Sequence, residues 1–141
     1  MQKIWSYNSF LKHHLTKVKD RLPILTKSCV VYKIPCSCGK VYIGETIRRL
    51  ETRVKEHQSA CQRGETEKSA IAEHCWNYHH PIDWDKATII GRAKRRQELV
   101  IKEALHIQLT PEEQRFNKDV GLELPDCWIA TMKYVANHTH Q

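Results

Sequence analysis

The apolar positions change period several times along the chain, and each change marks an element. Val30 to Pro35 is rich in β-branched and aromatic residues and predicts a strand, with Lys40 to Ile43 as its partner and Ser37 to Gly39 as the turn. The resulting hairpin breaks at Gly44. From Thr46, read as an N-cap, Ile47, Leu50, Val54 and Cys61 recur at helical spacing, and this helix is expected to end near Gly64. A second helix is predicted from about Ser69 to Tyr78, capped by the serine and stopped by Pro81. Ala87 to Ile90 reads as a short buried strand closed by Gly91. Lys94 to Leu109 is the longest helical pattern, with Leu99, Val100, Ala104 and Ile107 on one side and Pro111 beyond its end. Pro111 to Asp126 is polar and turn-rich, and Trp128 to Val135 is a last short apolar segment.

These elements imply an α/β chain of the α+β type, with a small three-stranded, mainly antiparallel sheet flanked by helices. At 141 residues one domain is expected. It is placed at 29–121, between a basic helical extension or linker over 1–28 and a C-terminal extension over 122–141. The extension carries Lys12, His13, His14, Lys17, Lys19 and Arg21 around Leu11, Leu15 and Val18, a weak amphipathic pattern stopped near Pro23.

Lysine and arginine outnumber the acidic residues 23 to 16, so an anionic partner such as nucleic acid suits the chain. Met1 to Phe10 holds no apolar run of signal-peptide length, and no stretch approaches the roughly 18 apolar residues of a membrane helix. An intracellular protein is therefore expected, with no membrane partner. Its six cysteines then read as reduced thiols or metal ligands rather than disulfides. Cys29, Cys61, Cys75 and Cys127 are read as small packing residues.

Within this frame a set of reactive side chains stands out. Tyr32 and Tyr42, ten residues apart, fall on adjacent predicted strands and offer two phenols. Arg53 and His57 lie one helical turn apart on the following helix, supplying a planar cation and a proton carrier. Glu103 on the long helix offers one hard carboxylate, with Glu98 as its competitor. Phosphodiester hydrolysis needs an activated water, an offset for transition-state charge and help for the departing oxyanion, and these residue types cover those needs.

The pattern resembles the GIY-YIG nuclease family. Val30-Val31-Tyr32 stands for the first motif, retaining its tyrosine while its glycine and isoleucine are replaced, and Tyr42-Ile43-Gly44 stands for the second. Arg53 and His57 match the helix arginine and its frequent companion, Glu103 the metal-binding glutamate and Asn117 the late asparagine. The resemblance implies a DNA endonuclease in which Glu103 holds Mg²⁺ or Mn²⁺, a tyrosine takes the proton from water, and Arg53 stabilises the transition state. Whether Tyr32 or Tyr42 is the base is open at this level.

A narrower resemblance, to the endonuclease domain of Penelope-like retroelements, rests on Cys36-Ser37-Cys38 between the tyrosines, on Ala72-Glu73-His74 and His80-Pro81-Ile82-Asp83-Trp84, and on Asn117-Lys118-Asp119-Val120-Gly121. It implies a structural Zn²⁺ held by Cys36, Cys38, His74 and His80, with His79 competing for the last place. It also implies DNA as partner, nicking of one strand, and the reverse transcriptase of a parent element as partner if the chain belongs to a longer polyprotein. Arg48, Arg49, Lys55, Lys94, Arg95 and Arg96 are the candidate phosphate contacts, and the last three also suit nuclear targeting. The competing reading is a catalytically inactive zinc-stabilised domain that binds DNA or protein.

Overall fold

The computed structural model describes residues 23–138, so most of the basic N-terminal extension, with its expected amphipathic helix, lies outside the described residues. Three strands, β1 (Val30–Pro35), β2 (Val41–Thr46) and β3 (Thr88–Arg92), form one sheet in the order β2-β1-β3. Both pairings are antiparallel. Among the described residues four α-helices accompany them: α1 (Leu50–Arg63), α2 (Ala70–Tyr78), α3 (Arg96–Leu109) and α4 (Asp126–His138).

The central strand explains the layering. Val30, Tyr32 and Ile34 point to one face, where Leu50, Val54 and Cys61 of α1 and Ile71 and Cys75 of α2 cover them. Val31 points the other way and packs with Ile43, Leu99 and Ile107 beneath α3. A strand covered on both faces loses the simple apolar and polar alternation, which is why Val-Val-Tyr reads as a continuous run. The result is a three-layer α/β/α arrangement.

Several boundaries differ from the sequence reading, each for a local reason. β2 runs through Gly44 to Thr46, which ends the strand instead of capping the helix. The Thr46 hydroxyl accepts the Arg48 N–H at 3.1 Å in the turn that follows. α1 therefore begins at Leu50, with Arg49 at its N-cap and no side-chain cap, and Ile47 is 46% exposed. The buried stripe is Leu50, Val54, His57 and Cys61. β3 likewise runs through Gly91, and as an edge strand it is half-buried. Lys94 and Arg95 precede α3. The last apolar segment is a helix of 13 residues that leaves Trp128, Met132, Tyr134 and Val135 exposed. Cys61 and Cys75 are buried as expected, but Cys127 is exposed and Cys29 is only half-buried, at a left-handed φ of 54°. No helix among the described residues is long and apolar enough to cross a membrane.

Candidate active site and metal centre

Register brings the tyrosine motifs together. Tyr32 faces Gly44 across β1 and β2, and the Tyr32 and Tyr42 rings lie 6.3 Å apart. A Cβ on residue 44 would stand 2.6 Å from the Tyr32 hydroxyl oxygen and 2.9 Å from the Tyr42 ring, so the glycine makes room for both phenols. His57 reaches them from α1: its Nε2 is 2.8 Å from the Tyr32 hydroxyl, and its ring meets Tyr42 edge-on at 5.3 Å. His57 Nδ1 lies 3.2 Å from Ser69 Oγ at the start of α2.

Burial dominates the electrostatics of this group. It pushes both phenols above their ordinary range, with the Arg53 cation pulling down and the Glu103 carboxylate pushing up on each. It also pulls His57 down to about 3, with Arg53 adding to the effect. His57 is thus a neutral imidazole at neutral pH.

Arg53 donates to Glu56 at 2.9 Å, and Arg48 holds the other oxygen of the same carboxylate at 2.6 Å. Arg53 and Arg48 line a pocket of about 210 Å³ together with Glu45, Thr46, Ile47 and Arg96. Glu103 approaches from α3 and takes the Glu45 backbone N–H at the open edge of β2. Burial, then the charges of Glu45 and Asp119, raise it to about 7. Glu98, its competitor in the sequence, is exposed and paired with Lys102.

Asn117 has a different place. Its amide accepts the Ile43 N–H at 3.1 Å and donates to the Ile43 carbonyl at 2.7 Å, closing the same open edge of β2 two residues earlier. Lys94, Arg95, Arg96, Arg48 and Arg49 are all exposed, while Lys55 is held by Glu51 at 2.9 Å.

The second cluster is Cys36, Cys38, His74 and His80, whose ligand atoms all lie within 4.8 Å of one another. Cys38 Sγ and His80 Nδ1 are each 3.4 Å from His74 Nε2. A tetrahedral zinc site with bonds of about 2.0 to 2.3 Å has ligand separations of roughly 3.3 to 3.8 Å, so these four residues can hold a metal ion such as zinc. Burial lowers His74 to about 4 and keeps it neutral, as a ligand must be. His79 is exposed, in a left-handed conformation at the end of α2, and takes no part. The narrow spacing of the two cysteines works because Gly39, at φ 91°, turns the hairpin back and its N–H donates to the Cys36 carbonyl at 3.0 Å.

Contacts overlooked in the sequence link the two clusters. Phe116 stacks on His74 at 4.3 Å and packs on Tyr42 at 6.0 Å. Ser69 reads only as a cap in sequence, yet it touches His57. Glu45 had a legible signal, since alternation along β2 puts it on the same face as Ile43, toward α3. Comparison with protein-family models, with curated proteins and with solved structures found no match to this chain.

Proposed function

We propose that the protein is a metal-dependent DNA endonuclease of the GIY-YIG type, akin to Penelope-like retroelement endonuclease domains, that nicks one strand of a duplex. The observation that carries the reading is the convergence of Tyr32, His57, Arg53 and Glu103, from β1, α1 and α3, beside Gly44 of β2. Their charges act on one another while their sequence positions span more than half the chain.

In the proposed mechanism DNA lies on the surface bearing Arg48, Arg49, Lys94, Arg95 and Arg96. The scissile phosphate draws Arg53 off Glu56, where the guanidinium offsets charge developing on the phosphate oxygens. Pairing with that anion also relieves the pressure that Arg53 places on His57, raising its affinity for a proton. Tyr32 then takes a proton from the attacking water and passes its own to His57. Glu103 would hold Mg²⁺ or Mn²⁺, which suits a hard carboxylate crowded by two others and supplies charge compensation for the phosphate and the leaving oxyanion. Asn117 clips the β2 backbone at Ile43, next to Tyr42.

The complete burial of Tyr32 favours a second reading, a zinc-stabilised DNA-binding module without catalysis. Incubating supercoiled plasmid with the protein and Mg²⁺ separates the two. The nuclease converts it to the open-circular form, EDTA abolishes the conversion, and Arg53→Ala slows it by roughly 100-fold or more. DNA retention without conversion supports the second reading.

A further inference from the structure

We propose that Ser69 is a positioning residue that fixes His57 as its Nδ1–H tautomer, leaving Nε2 as the acceptor aimed at the Tyr32 hydroxyl. This assignment deepens the reading of the site given above, but its structural part stands on the hydrogen-bond chain alone.

The chain runs from the Ala72 N–H, which donates to Ser69 Oγ at 3.4 Å, through His57 Nδ1 at 3.2 Å, to Tyr32 Oη, 2.8 Å from Nε2. All three side chains are buried: Tyr32 is 0%, His57 3% and Ser69 8% exposed. A neutral imidazole has a single N–H to give, so only one neighbour can receive from it. The far end decides which. The Tyr32 hydroxyl is fully buried, His57 Nε2 is its hydrogen-bond partner, and Gly44 lies against it. If Nε2 carried the proton, Tyr32 would accept from it and its own O–H would lose the acceptor that His57 provides in a fully buried position, an arrangement that proteins avoid. With the proton on Nδ1, Tyr32 donates to Nε2 and Nδ1–H donates to Ser69, and the hydroxyl proton left over is that of Ser69, which is 8% exposed, rather than that of the fully buried Tyr32.

The consequence is directional. In this tautomer the Tyr32 proton has a waiting lone pair, whereas in the other tautomer Nε2–H faces the phenol oxygen and leaves no lone pair to take the proton. Ser69 also caps α2, so Ser69→Ala would confound orientation with folding. Glycine separates them, because it serves as an N-cap at a loss of only about a few tenths of a kcal/mol but has no oxygen to offer.

The test is ¹⁵N NMR of protein labelled at its histidine imidazoles, with the His57 signals identified by their loss in His57→Gln. At neutral pH the wild type should show a protonated Nδ1 and a bare Nε2 at His57. Ser69→Gly should move His57 toward the Nε2–H tautomer, and Ser69→Thr should restore it. A wild-type His57 protonated at Nε2, or one whose Nδ1–H form is unchanged in Ser69→Gly, overturns the proposal. In plasmid nicking, Ser69→Gly should lower kcat roughly 10-fold or more with KM little changed, and Ser69→Thr should recover it. A wild type that shows the Nδ1–H tautomer but never nicks refutes the nuclease reading while upholding the structural role of Ser69.

Discussion

At Gly44 one added methyl group would press on the Tyr32 hydroxyl and the Tyr42 ring at once. Neither ring can yield easily, because Tyr32 is buried and held by His57. Gly44→Ala should therefore destabilise the protein by about 1 to 3 kcal/mol, read as a lower urea midpoint, with a shifted Tyr32 aromatic resonance. An unchanged midpoint would mean that the phenols do not pack over residue 44. His57 carries a pH signature. It is held neutral when folded, near 3, but takes up a proton near 6.5 when unfolded. The unfolded chain thus binds more protons between those values, so stability is full above about pH 6.5 and falls as the pH drops, by about 1.4 kcal/mol per unit. Urea denaturation at pH 7, 6 and 5 should show a shallower loss in His57→Gln than in the wild type. Equal slopes would place the titration elsewhere.

Between elements, the open edge of β2 concentrates much of the design. Asn117 substitutes for a neighbouring strand at Ile43, and Glu103 does so at Glu45. Asn117→Ala should leave two backbone groups of Ile43 unpaired and cost about 1 to 3 kcal/mol, with faster hydrogen exchange at the Ile43 amide. Protection equal to the wild type would show that the edge is closed by something else. The strand pairing and the helices α1, α2 and α3 were legible in the chain because β-branched runs and helical stripes survive a reading by periodicity. The start of α1 was not: Thr46 has the chemistry of an N-cap but uses it in a turn, and the true first residue follows an arginine with no capping group. Asn117 was singled out only by the family resemblance, and its use as a backbone clip depends on a register that only the folded sheet has. Ser69 was hidden because its capping role explained it fully.

Across the whole molecule, the hairpin turn, α2 and the segment around Phe116 join the Cys36, Cys38, His74 and His80 cluster to the tyrosines. His74 stacks on Phe116, and Phe116 packs on Tyr42. Zinc should accordingly bind at about one ion per chain by elemental analysis. Cys36→Ser/Cys38→Ser and His80→Ala should lose it, with a lower Tm, whereas His79→Ala should keep it. Zinc retained in the double-cysteine variant would contradict the assigned ligands. The layers also bring the Glu103 carboxylate of α3 within reach of the Arg53 charge of α1 across the edge of β2. The most direct measurement is therefore the Mg²⁺-dependent nicking of supercoiled plasmid by wild type, Tyr32→Phe and Glu103→Gln, with DNA binding measured in parallel. Nicking by the wild type and its loss by roughly 100-fold or more in both variants, with DNA binding retained, is the expected result. Absence of nicking by the wild type, or equal rates in all three proteins, would contradict the assignment.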